Sequence, residues 1–136
     1  MHTEPCLDHR DALSIIETVV AELENRDAGA AVAVVDTHGE LIAFARTDGC
    51  PLPSIGNAIH KAFTAAREGV PSAEIGRRSR EESFPITNFG DLRYTGWGGG
   101  IPIDINGSKV GAVGVSGLPE ATDVELAEIG ARTVTT

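Results

Sequence analysis

A chain of 136 residues and 14.2 kDa is the size of one domain with one core, and an apolar fraction of 41% with only 4% aromatic leaves Ala, Val and Ile to fill that core. The formal charge of −9 repels nucleic-acid phosphates and anionic headgroups over a Debye length of ~8–10 Å, so neither nucleic acid nor membrane is expected as a partner. No apolar run approaches the ~20 residues that span a bilayer; the start Met1-His2-Thr3-Glu4-Pro5 has no leader-like pattern, and Cys6 and Cys50 have no metal-ligand or redox spacing, which reads as a cytoplasmic protein with two free thiols.

From Leu7 to Asn25, Leu13, Ile16, Val20 and Leu23 recur at intervals of three and four, predicting an amphipathic helix that opens near Asp8 and Asp11. The β-branched run Ala31–Val35 and the run Glu40–Arg46 flank Asp36-Thr37-His38-Gly39. Asp first and Gly fourth favour a type I turn with a bulge, and hence a hairpin. After the rigid Cys50-Pro51-Leu52-Pro53, Ser54 is expected to cap a helix to about Glu68, stopped by Gly69-Val70-Pro71-Ser72. A third helix follows from Ala73 to about Glu82. Polar, Gly-rich chain then leads to Ile101–Ile105, Asn106-Gly107 and Val110–Ser116, a second hairpin in which both turn residues need positive φ. Pro119 opens a last helix to about Arg132. With a short fifth strand near Ile86–Phe89, the order predicts a single α/β (α+β) domain over residues 1–136, built on one antiparallel sheet rather than a parallel one.

Chemistry concentrates in four places. Gly96-Trp97-Gly98-Gly99-Gly100 holds the lone Trp among glycines that permit close backbone approach; it either bends the chain into the hairpin or lies against a ligand, and no GK[ST] makes it a phosphate loop. Lys61, flanked by Ile59, Ala62 and Phe63, either snorkels to the surface or is buried enough to act as base, imine former or cation toward an acidic ligand. His60 points about 100° away from it and is its candidate acid–base partner. His2 and His38 fall at a chain end and a hairpin tip, which leaves His9 and His60 as candidate imidazole ligands for haem iron, with no second ligand at metal spacing. Arg77, Arg78 and Arg80, with Arg67 and Arg93, can pair with carboxylates or form a solvated face beside Glu81 and Glu82; Asp91, Arg93 and Tyr94 offer a polar rim to a pocket. No G-x-S-x-G pattern supports serine catalysis.

Taken in order, Ala31-Val32-Ala33-Val34-Val35-Asp36 with Gly39, Arg46-x-Asp48-Gly49, Ser54-Ile55, Lys61-Ala62, Ala65-Ala66, Gly98-Gly99-Gly100-Ile101-Pro102-Ile103 and Gly111-Ala112-Val113-Gly114-Val115-Ser116-Gly117 resemble the GlcG/HbpS family, related to the C-terminal domain of PduO-type proteins, from about residue 10 to 132. The resemblance implies a profilin-like five-stranded antiparallel sheet flanked by helices, homo-oligomers from dimer to octamer, and, for some members, haem or corrinoid handling. Departures are Ser83 to Trp97, where a Pro/Gly-rich apolar stretch is usual, and His60, where an acidic or other polar residue is usual. Two functions follow as expectations. One is a haem- or tetrapyrrole-binding module using Phe63, Asp91, Arg93, Tyr94, Trp97 and Gly98 to Gly100, with His9 or His60 on iron. The other is a metal-independent enzyme acting on a small carboxylated or carbonyl metabolite, with Lys61 and His60 as acid and base and the glycine amides holding an oxyanion.

Overall fold

The structure is a computed structural model and describes residues 1–134. Its elements run α1 (His9–Asn25), β1 (Ala31–Val35), β2 (Leu41–Arg46), α2 (Pro53–Glu68), α3 (Ser72–Glu81), one turn of 3-10 helix at Ile86–Phe89, β3 (Gly100–Ile105), β4 (Ser108–Ser116) and α4 (Glu120–Ala131). Both hairpins form where their turn residues predict them. In the first, Asp36 Oδ1 accepts from the amides of His38 at 2.8 Å and Glu40 at 3.0 Å, with Gly39 at φ 89° and a bulge between Val34 and Val35. In the second, Asn106 and Gly107 have φ of 52° and 82°, the left-handed pair that a two-residue turn requires.

The hairpins then pair with each other: Ala31 lies opposite Ser116 and Val35 opposite Ala112, which gives the antiparallel order β2-β1-β4-β3. The two central strands are therefore covered on both faces and carry almost unbroken apolar runs. Val32, Val34, Val113 and Val115 pack with Ile15, Val19 and Leu23 of α1 and Leu126 of α4. Each such fully buried aliphatic side chain contributes about 1.5–3 kcal/mol. Ala31, Ala33, Val35 and Ala112 face Ala58, Ala62 and Ala65 of α2. One face of the sheet thus carries α1 and α4, and the other carries α2.

Among the described residues the sheet has four strands, not the five of a profilin-like arrangement, and the expected strand at Ile86–Phe89 is a helical turn. Its backbone bonds are satisfied locally, Asn88 N donating to Pro85 O and Gly90 N to Thr87 O, and Gly90 at φ 68° turns the chain away, so no row of free amides remains for a ladder. Two helix starts also differ from expectation. Proline is pre-set for the first helical position, so α2 begins at Pro53 and Ser54 is drawn into its buried first turn with no capping bond. Helix α3 begins at Ser72, one residue before the expected Ala73, and the Ser72 hydroxyl donates to Trp97 O rather than capping the helix. At α1 the cap is Asp8, in a reciprocal capping box with Asp11.

Candidate functional site

Helix α2 lies so close to the second hairpin that glycine is the only residue several facing positions accept. A Cβ on Gly114 would fall 2.1 Å from the carbonyl oxygen of Ala58, and one on Gly100 would fall 2.1 Å from that of Lys61. This closeness brings Lys61 to the end of β4. Its side chain is buried, and Nζ donates to the carbonyl of Val115 at 3.0 Å and to Asp123 Oδ2 at 3.1 Å. The other oxygen of Asp123 accepts from the amide of Leu118 at 3.1 Å. Burial pushes the Asp123 carboxyl above its usual range, outweighing the pull of the Lys61 ammonium and of the Leu118 and Gly117 amides. Of the two sequence-based alternatives for Lys61, the buried one is observed.

The pair forms the floor of a cavity of about 300 Å³ lined also by Ser54, Asn57, Trp97, Gly98, Ser116 and Glu120. Gly98 faces Glu120, and Trp97 stands at the rim with 61% of its surface exposed. The glycine loop and the lysine helix therefore meet, but largely by direct packing. The amide of Gly100 donates to Ser72 Oγ at 2.9 Å, and Ser72 Oγ donates to Trp97 O at 2.7 Å. That amide is not free for an oxyanion. Ser72→Ala leaves the buried Gly100 amide without its acceptor and is expected to cost about 1–3 kcal/mol, read from the urea midpoint.

Phe63, Asp91, Arg93 and Tyr94 form a separate cluster over the outer side of α2. The Arg93 guanidinium lies 4.0 Å from the Phe63 ring centre and Arg67 lies 4.8 Å from it; Tyr94 stacks on Phe89 at 4.0 Å and meets Phe63 edge-on at 5.4 Å. Arg93 is held by Asp91 and Glu40, and holds the Asp91 carboxyl down to about 2. These groups are spent on one another, and Phe63 is buried beneath them. The Tyr94 phenol donates to Glu68 Oε2 at 2.8 Å, and burial first, then this bond, pushes it up to about 12. The folded chain holds that proton more tightly than the unfolded chain does. Its contribution to stability is thus complete below the ordinary phenol value of 10 and is lost as pH rises through about 12. Tyr94 is the only tyrosine, so ultraviolet difference titration reads it directly; the midpoint is expected near 12 and should fall in Glu68→Gln.

The two candidate histidines are on opposite sides of the sheet. His9 is exposed at the start of α1, whereas His60 is half-buried on α2, where its carbonyl accepts from Thr64 Oγ1 and Thr64 Oγ1 in turn accepts from the amide of Thr95. His60 is not among the residues lining the Lys61 cavity. Two of the three arginines of α3 are committed, Arg77 to Glu74, Glu81 and Glu82, and Arg78 to Glu74, while Arg80 is exposed. Sequence reasoning missed Asn57, Ser116 and the role of Asp123. An acid in the first turn of α4 reads as a helix-dipole partner, and nothing local links it to a lysine 62 residues earlier.

A family model described as "Haem degrading protein HbpS-like" matches residues 7–132. Protein GlcG of Escherichia coli strain K12 is 31% identical over 122 residues, spanning 85% of each chain. A solved double mutant of HbpS from Streptomyces reticuli superposes with a TM-score of 0.88 at 27% identity, covering 98% of this chain and 90% of that one. The PduOC:haem complex has a TM-score of 0.84 at 21% identity over 95% of each chain, a likeness of fold.

Proposed function

The chain belongs to the HbpS-like family, and on that footing we propose that residues 1–136 form one small-ligand-binding unit whose ligand is haem or a related tetrapyrrole. The family match over residues 7–132, to a model described as haem degrading, carries this reading, and the name of one structural relative, the PduOC:haem complex, agrees with it. On the α2 side of the sheet a half-buried imidazole, His60, and an exposed indole, Trp97, supply a donor and a stacking surface of the kind iron porphyrins use. Their exposure supports a macrocycle laid on the surface. The Lys61 cavity, which opens to solvent, lies at the small end of the ~300–1,000 Å³ usual for ligand pockets, and its ammonium is already shared with Asp123 and Val115. When bound, haem would supply iron-centred ligand exchange and redox chemistry; His60 would hold it and Trp97 would shield one face.

Titrating the protein with haemin should give a saturable Soret shift that His60→Ala abolishes and His9→Ala leaves intact, because the sheet separates His9 from the Trp97 side. Absence of a saturable shift overturns the reading. The unpaired Cys6 and Cys50 support a reducing, cytoplasmic setting. Among the described residues no helix is long and apolar enough to cross a membrane. The burial of Lys61 and Asp123 together at a cavity floor is the observation favouring the second reading, an acid–base enzyme for a small metabolite.

A further inference from the structure

The Lys61 cavity stands apart from His60, which does not line it, and its lining restricts what can occupy it. Ser54 and Ser116 are both more than nine-tenths buried, both face the cavity, and neither hydroxyl is used in a hydrogen bond among the described residues. No side-chain polar atom sealed from solvent lacks a partner among those residues, so these two hydroxyls, which have none, are open to the cavity. Asn57 adds an uncommitted amide on the same helix face, one turn before Lys61. An ammonium has three N–H donors, and two of those of Lys61 are taken, by Val115 and Asp123, which leaves one.

The charges exclude an anion. Lys61 and Asp123 cancel each other, Glu120 on the wall has no ion-pair partner among the described residues, and the whole chain carries −9. A carboxylate entering here meets an excess of negative charge, with no cation left over to receive it. What remains is a set of neutral groups that both donate and accept, in about 300 Å³. We propose that this cavity binds a small, uncharged polyhydroxylated molecule, whose hydroxyls donate to Glu120 and the Asn57 carbonyl and accept from Lys61, Ser54 and Ser116.

Calorimetry and saturation-transfer NMR on the full chain, with erythritol, erythronate and 1-butanol as probes, test this. Erythritol is expected to bind saturably, with erythronate at least about tenfold weaker because one terminal CH2OH has become a carboxylate. Ser116→Ala and Asn57→Ala should each weaken erythritol binding about 3- to 10-fold, as the loss of one neutral hydrogen bond does. Glu120→Gln should narrow the gap between erythritol and erythronate, which a purely structural role for Glu120 would not do. No saturable erythritol binding, equal or tighter binding of erythronate or butanol, or indifference to both Ser116→Ala and Asn57→Ala overturns the proposal. The haemin titration of Asn57→Ala, expected to match that of the unaltered chain, separates the fate of this site from that of the haem reading.

Discussion

Replacing Lys61 by methionine is expected to cost about 3–5 kcal/mol of folding stability, the usual penalty for removing one partner of a buried ion pair. Both side chains are almost wholly inaccessible, at 4% and 3% exposure. Methionine matches the length of the lysine stem but leaves the Asp123 carboxylate facing only the backbone amides of Leu118 and Gly117, and the Val115 carbonyl without its donor. The carboxyl, already pushed up by burial, would then rise further, because the ammonium that favours its charged form is gone. Urea denaturation at pH 7 should show the loss as a shifted midpoint with an unchanged slope. The double variant Lys61→Met with Asp123→Leu should recover most of it, since two apolar side chains bring no uncompensated charge. If the single variant is as stable as the unaltered chain, the pair is not closed off from water as the geometry requires. Ligand measurements on Lys61 variants therefore need the double variant as their reference, or lost binding will report lost folding.

Gly114→Ala is the second large effect expected, at about 1–3 kcal/mol, the cost of forcing a methyl into a packed interior. The added Cβ would sit 2.1 Å from Ala58 O, 2.7 Å from Ala62 N and 2.9 Å from Ala62 Cβ. Backbone atoms stand in the way, so no side-chain rotation can make room, and α2 must move as a body off β4. Because α2 carries Asn57, Lys61 and His60, that displacement should also disturb the Lys61 cavity. Gly56→Ala on the same helix is the control: nothing lies within 4 Å of its added methyl, and the change should stabilise by up to ~1 kcal/mol through helix propensity. Thermal melts of the two variants are expected to move in opposite directions. A Gly114→Ala midpoint equal to that of the unaltered chain would show that the helix can be lifted from the sheet at no cost.

Local chemistry carried most of the element boundaries. Asp36 to Gly39 and Asn106-Gly107 specify their turns through side-chain acceptors and positive φ, which neighbouring residues alone decide, so both hairpins and their antiparallel sense were legible. The paired-strand count was not. Ile86–Phe89 is apolar enough to look like a strand, but a strand exists only where a partner edge offers amides and carbonyls, and here Pro85 and Gly90 close those bonds within one turn. The cap assigned to Ser54 failed for a related reason: Pro53 competes for the helix start and wins by fixing φ.

The sequence by itself determined the two hairpins, the amphipathic helices, the family motifs from Ala31 to Gly117, and the glycines that only a close approach explains. Tertiary structure alone decided what approaches them. It sent Phe63 under Arg67 and Arg93 while Lys61, two residues earlier, turned inward to Asp123, and it put His9 and His60 on opposite sides of one sheet. Turns and helix periods arise from contacts a few residues apart, whereas an ion pair across 62 residues and a cavity shared by α2, β4 and α4 exist only once the hairpins have paired and the helices have packed upon them.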